Sequence, residues 1–302
     1  MGLPLFAFFT PHAPYTNGRD CAMIRLKTGQ FIPARSEIEV FVQMSDILDT
    51  LRQEGVDPTL LAAVQEYRAA HPLSEALRPR IPAPAFTYYG KEVWEQALAA
   101  ILCGENLLLA GGKATGKNVL AENLAAAFGR PAWDISFHVN MDAASLIGMD
   151  TFAGGQVVFR PGPVYRCAQC GGFGVLDEIN MAKNEALTSR FAVVQMPTIT
   201  QDNLEKLLRA QFPDLTAKYV HQFALLFLDL QKKCDSAEIS TKALDLRGML
   251  DALRLIRRGI PAGAALDMGI TNKAFDSYEQ GLIRDVIAAR IPAKLDAGKL
   301  FA

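Results

Sequence analysis

The chain has 302 residues, enough for two ordinary domains or for one large domain with an added lobe, which excludes a peptide hormone or a disulfide miniprotein. Half of its residues are hydrophobic and 21% are charged, a balance that argues against disorder and against a fibrous chain. Lys and Arg number 31 against 32 Asp and Glu, and the formal charge of −1 argues against a nucleic acid or an anionic membrane as the main partner unless a local patch supplies the attraction.

In chain order, the apolar run Leu3 to Phe9 is far shorter than the roughly 18 to 20 residues of a membrane-spanning helix, and so are the later runs. It lacks a basic segment ahead of it and a small-residue cleavage site behind it, so a cytoplasmic protein is expected. Cys21, Cys103, Cys167, Cys170 and Cys234 are odd in number and widely scattered, which fits free thiols in a reducing compartment. Met23 to Leu26 and Glu37 to Gln43 are short β-like patches divided by Gly29 and Pro33. A helical pattern runs from Ser45 to about Ala70 with Leu48, Leu51, Leu60, Leu61 and Val64 as its apolar positions. Pro79 to Pro84 carries three prolines, each fixing its own φ and biasing its predecessor away from helix, and is the best candidate for a linker.

Beyond it, Glu92 to Leu102 reads as an amphipathic helix, Asn106 to Ala110 as a short buried strand, and Val119 to Phe128 as a helix ended by Gly129 and Pro131. Strand, glycine loop and helix in that order make the front half of a βαβ unit. The loop is Gly111-Gly112-Lys113-Ala114-Thr115-Gly116-Lys117-Asn118, seven positions of the phosphate-loop pattern with Asn where Ser or Thr is usual. Its glycines let successive N–H groups curl toward phosphate oxygens, Lys117 offers a point charge to them, and the helix that follows, through Val119, adds its positive end. Asn118 would offer Mg²⁺ a carbonyl oxygen or leave a water in place of the hydroxyl, which weakens the case for hydrolysis more than for binding. The plainer alternative is a glycine-rich turn between a core strand and a core helix.

Thr151-Phe152 and Gln156 to Arg160 are β-like runs around Gly154-Gly155, a hairpin signal. Cys167 and Cys170 have the spacing of half a zinc site, without a second pair nearby in sequence, and two helix-face thiols are the simpler reading. Gly174-Val175-Leu176-Asp177-Glu178-Ile179-Asn180 is an apolar run ending in two acids, the Walker B arrangement, where Asp177 would hold Mg²⁺ and Glu178 would polarise the attacking water. Asp202 to Phe212 and Tyr219 to Gln231 read as further helices with leucine cores, and Arg254, Arg257 and Arg258 as a solvated helix end. His12, His71, His138 and His221 are isolated and offer no catalytic spacing.

Together these motifs resemble the MoxR-type AAA+ ATPases, CbbQ- and NorQ-like proteins among them, over roughly residues 88–259, with Leu-Asp-Glu-Ile-Asn and Gly162-Pro163 as the most telling pieces. The resemblance implies an α/β P-loop NTPase domain with a parallel sheet flanked by helices, over residues 85–198. An N-terminal α+β extension with its linker would occupy 1–84, and a small helical lid 199–302. It implies ATP and Mg²⁺ as cofactors and self-assembly into a ring, usually a hexamer, with ATP between subunits. It further implies a hairpin insertion over Leu146 to Pro163 and an arginine finger, Arg190, in Ser189-Arg190-Phe191, with a strand over Phe191 to Met196. Ile239 to Ala243 is similar to the sensor-2 region, where Lys242 or Arg247 must stand for the usual arginine, although lysine lacks its fork. The client would be another protein, often a von Willebrand factor A domain protein or a metalloenzyme.

One stretch departs from the family. Only nine residues separate Asn180 from Arg190, where the family has a helix, a strand bearing a polar sensor-1 residue, and more helix. Either the chain is shortened there or two ordered pieces stand joined across an omitted loop; without sensor 1, hydrolysis is expected to be poor or absent. The expectations are therefore an ATP-hydrolysing remodelling protein, or a nucleotide-dependent scaffold or switch with little turnover. A monomeric small-molecule kinase, which needs no neighbour's arginine, is a third reading.

Overall fold

The computed structural model describes the backbone of residues 5–9 and the residues 46–137, 142–177 and 191–301. The β-like patches expected at Met23 to Leu26 and Glu37 to Gln43 lie outside the described residues.

The helical pattern after Ser45 is two helices, α1 (Ile47–Gln53) and α2 (Pro58–Ala70). Gly55, at φ +74, turns the chain between them, and Pro58 starts α2 where a missing N–H costs nothing. Asp46 and Asp57 cap the two N-termini by accepting from Leu48 N (3.2 Å) and Thr59 N (2.8 Å). A 3-10 turn over Glu75–Arg80 takes in Pro79 and Arg80, the first two residues of the proline-rich segment, and the chain leaves it extended at Ile81.

The main sheet has five strands. β1 (Leu5–Phe9), β2 (Leu107–Ala110), β3 (Ala132–Ser136), β6 (Phe173–Asp177) and β7 (Ala192–Gln195) stand in the order β3-β6-β1-β2-β7. β2 and β7 pair in parallel, as do β3 and β6, but β1 lies antiparallel between β2 and β6. The sheet expected to be parallel is thus two parallel pairs joined by an N-terminal strand. β2 and β6 are apolar and buried almost throughout, which is what central strands covered on both faces require.

Helices α3 (Lys91–Leu102) and α4 (Lys117–Phe128) pack against the sheet. Leu48, Leu51, Leu61 and Val64 of α1 and α2 are buried in the same core as Trp94, Leu107, Leu109 and Phe128. Arg68 of α2 reinforces this by donating to Ala127 O (2.6 Å) and Ala126 O (3.2 Å), carbonyls at the C-terminal end of α4. A second sheet is the hairpin of β4 (Gly148–Ala153) and β5 (Gln156–Pro161), with Gly154 and Gly155 at positive φ in its turn. It follows the short helix α5 (Ala143–Ile147) and leads into α6 (Pro163–Cys170), and it leaves Phe152 (77%) and Val157 (68%) exposed.

The C-terminal part is helical: α7 (Gln201–Gln211), α8 (Ala217–Asp235), α9 (Leu246–Arg257), α10 (Ala262–Gly269), α11 (Ser277–Arg290) and α12 (Ala297–Leu300). Val220, Phe223, Ala224, Phe227 and Leu230 recur at helical spacing along α8 and are buried with Met249, Leu250, Leu253 and Ile256 of α9. Gly248 and Gly269 let α9 meet α10 backbone to backbone; a Cβ on Gly248 would stand 2.1 Å from Gly269 O. No helix among the described residues is long and apolar enough to cross a membrane.

Candidate nucleotide site

The apolar strand β2 ends at Ala110 and delivers the loop from Gly111 directly into α4. Gly116 is left-handed (φ +84) and so is Ala114 (φ +59), a conformation that costs a residue with a Cβ and is held where the surroundings over-determine it. Thr115 Oγ1 donates to Gly112 O (3.0 Å), closing the curl. Lys117 is buried, and its ammonium donates to Gly111 O (3.0 Å) and Gly112 O (2.6 Å) across the inside of the loop. Burial pushes the Lys117 pKa down while the nearby Asp177 carboxylate pulls it up. An anion with its own negative charge against that ammonium would remove the desolvation burden.

Asp177 ends β6, and Asn118 Nδ2 donates to its Oδ2 at 3.4 Å, so the loop and the acidic strand end face each other across the sheet edge. Glu178 and Arg190 lie outside the described residues. The loop opens into a cleft of about 360 Å³ whose far wall is α9 and the turn before it, including Leu244, Leu246, Arg247 and Leu250. Arg247 therefore lines the cleft. Lys242 instead holds its ammonium 4.4 Å from the centroid of the exposed Phe275 ring. Lys113 reaches across to donate to Thr241 O (2.8 Å), tying the phosphate loop to the C-terminal helices. Asp245 caps α9 through Gly248 N and pairs with Lys273. Burial opposes ionisation of that carboxyl, but Lys273 and the Gly248 N–H hold it below the usual range.

An adjoining, mainly apolar pocket is walled by Tyr88, Tyr89, Val119, Ile199, Leu207 and Leu246. Its Tyr88 wall is fixed by residues that sequence reasoning missed. Asn123 on α4 is fully buried, accepts from Tyr88 N (3.1 Å) and donates to Phe86 O (2.8 Å) and Val119 O (2.7 Å). Trp94 Nε1 donates to Tyr88 O (2.9 Å). An Asn inside an otherwise Ala- and Leu-rich helix was the available signal, since a buried amide demands partners. Glu122 was also passed over; burial, then Asp134, raises its pKa, and Arg247 opposes them.

The remaining chemistry-bearing residues lie elsewhere. Cys167 is buried on α6, donates to Gly172 O (3.0 Å), and burial pushes its thiol up to about 12. Among the described residues no three His, Cys, Asp or Glu side chains converge in a way that could hold a metal ion.

A loop of this shape, its lysine and a strand-end aspartate define a P-loop type of site. Residues 106–245 match the family model of the AAA domain (dynein-related subfamily), which supports an AAA+ nucleotide-binding domain in this chain. The chain is 26% identical to the uncharacterized protein YojN of Bacillus subtilis (strain 168), over 71% of this chain and 88% of that protein. It is 27% identical to the uncharacterized protein SH1500 of Staphylococcus haemolyticus (65% and 95%) and to SAB1265c of Staphylococcus aureus (65% and 94%). The first of these alignments runs over 267 positions, yet takes in only 71% of 302 residues, so about fifty positions of that relative have no counterpart here.

Proposed function

We propose that this protein is a MoxR-like AAA+ ATPase, a ring-forming remodelling protein that binds ATP with Mg²⁺ and acts on a protein client. The observation that carries the reading is the juxtaposition of the Gly111–Lys117 loop with Asp177, seen in the Asn118 contact, beneath a wall that presents Arg247. In this reading residues 85–198 are the α/β nucleotide domain, 199–302 the lid and 1–84 an extension. The extension's helices support α4, because Arg68 holds the carbonyls at its end.

The residues present fit the nucleotide. The loop amides and Lys117 would hold the phosphates, Arg247 would reach them from the lid, and the Tyr88 pocket would take the base. Arg247 is preferred to Lys242 for this role because only Arg247 lines the cleft. Asp177, with the side-chain oxygen of Asn118, would hold Mg²⁺, which when bound neutralises charge developing on the phosphates. Glu178 would orient and deprotonate water, and Arg190 would serve the neighbouring subunit's site in a ring, usually a hexamer. A von Willebrand factor A domain protein is the client that the family resemblance suggests.

A second reading, a nucleotide-dependent switch with little turnover, is favoured by two observations. Asn118 replaces the metal-binding hydroxyl, and only nine residues stand between Asn180 and Arg190, too few for the sensor-1 segment that the family resemblance implies there. The deciding experiment is phosphate release by the purified protein, wild type and Glu178→Gln. Turnover that stops in Glu178→Gln with nucleotide still bound supports the ATPase; tight binding with negligible release in wild type supports the switch.

A further inference from the structure

The two strands that carry the site, β2 and β6, are not hydrogen-bonded to each other. Between them lies β1, whose register runs Leu5 to Ala110 and Phe8 to Leu107 on one side, and Ala7 to Leu176 and Phe9 to Gly174 on the other. Neighbouring strands stand about 4.8 Å apart, so β1 holds the end of β2 and the end of β6 roughly two spacings, near 10 Å, from each other. Remove it, and two outcomes remain. Either β2 and β6 close up, carrying Asp177 about one spacing toward Gly111, or both keep a row of unpaired N–H and C=O groups. With β1 in place Leu107, Leu109, Val175 and Leu176 are at most 5% exposed, so its removal would leave those backbone groups without partners in the middle of an otherwise apolar sheet.

We infer that β1 is a positioning element of the nucleotide site: an apolar strand contributed from outside the βαβ succession that sets the separation of the phosphate loop and Asp177. Docking of β1 and binding of nucleotide are then coupled, each favouring the other. The inference rests on the nucleotide reading for its second half only. Three features fit a strand that docks as a unit. Its sequence, Leu-Phe-Ala-Phe-Phe, is apolar throughout, as a strand in the middle of a doubly covered sheet must be. It is separated in sequence from α1 by the 37 residues numbered 10–46, so its placement is not dictated by a tight connection. It runs antiparallel to both neighbours, which sets its Leu5 end beside Ala110, where the phosphate loop begins.

The test is hydrogen exchange, read by mass spectrometry, on the full chain with and without ADP, ATP and Mg²⁺, together with Ala7→Pro and the control Ala7→Val. Proline in a central strand cannot donate to the ladder. In wild type, amides of residues 5–9 should be protected before nucleotide is added and more so afterwards. Ala7→Pro should speed exchange in 107–110 and 173–177 and weaken nucleotide binding at least tenfold, while α8 and α9 keep wild-type protection; Ala7→Val should retain binding. Rapid, nucleotide-independent exchange of residues 5–9 in wild type overturns the inference without any variant, as does wild-type affinity in Ala7→Pro. If wild type binds no nucleotide at all, the nucleotide reading fails by itself, and the exchange of 107–110 and 173–177 in Ala7→Pro still decides whether β1 holds the two strands apart.

Discussion

Replacing Asn123 by Leu tests how the wall of the base pocket is built. The side chain is fully buried and ties α4 to the Phe86–Tyr88 segment with three hydrogen bonds of 2.7 to 3.1 Å. Leucine is of similar size, so the cavity contribution is small. Val119 O keeps its helical partner, but Tyr88 N–H and Phe86 C=O lose theirs, and each unpaired buried backbone group costs about 1 to 3 kcal/mol. The sum is about 4 kcal/mol. At roughly 2 to 4 °C per kcal/mol for a protein of this size, the melting midpoint should fall by about 8 to 16 °C. The functional signature is separable from the stability loss: below the transition, affinity for ATP should fall while affinity for inorganic tripolyphosphate stays near wild type, because the phosphate loop is untouched. A midpoint within about 2 °C of wild type, or equal losses for both ligands, refutes the reasoning.

Other outcomes follow from the same structure. Gly248→Val should destabilise the C-terminal helices by several kcal/mol, seen as a lower first transition in calorimetry, because its Cβ would stand 2.1 Å from Gly269 O. At pH 8 iodoacetamide should modify exposed Cys103 and spare Cys167, whose thiol burial pushes up to about 12, as peptide mapping will read. Tyr88 is likewise pushed up to about 12 by burial. Both groups keep their protons in the folded state after the unfolded chain has lost its own, so each contributes stability that is complete below the unfolded pKa and lost as pH rises from about 9 toward 12; denaturant midpoints should drop across that window. Asn118→Thr should raise the dependence of nucleotide affinity on Mg²⁺, measured with and without chelator, by giving the metal a hydroxyl.

Much of this fold follows from local patterns. β2, the glycine loop and α4 were readable because an apolar run of strand length, positive-φ residues and a helix C-terminus at Gly129 each leave a local signature. The β4–β5 hairpin was readable from Gly154-Gly155 between β-like runs. The split of the Ser45–Ala70 helix was marked by Gly55 and Pro58, yet the apolar period runs on across both and conceals it. β1 could not be placed from sequence, since pairing across a hundred residues is set by an empty slot in the sheet and not by any property of Leu5–Phe9 alone. Likewise the sequence leaves both Lys242 and Arg247 as candidates, and only packing turns Lys242 onto Phe275 and leaves Arg247 lining the cleft. Asn123 went unnoticed because two of its three partners are backbone atoms some 35 residues away.

Isothermal titration of the whole chain with ADP and with a non-hydrolysable ATP analogue, in Mg²⁺, addresses the central proposal directly. One nucleotide per chain should be taken up by wild type, and Lys117→Ala should lose at least tenfold in affinity with its helical content intact. No uptake by wild type, or equal affinity in Lys117→Ala, contradicts a phosphate site in the Gly111–Lys117 loop.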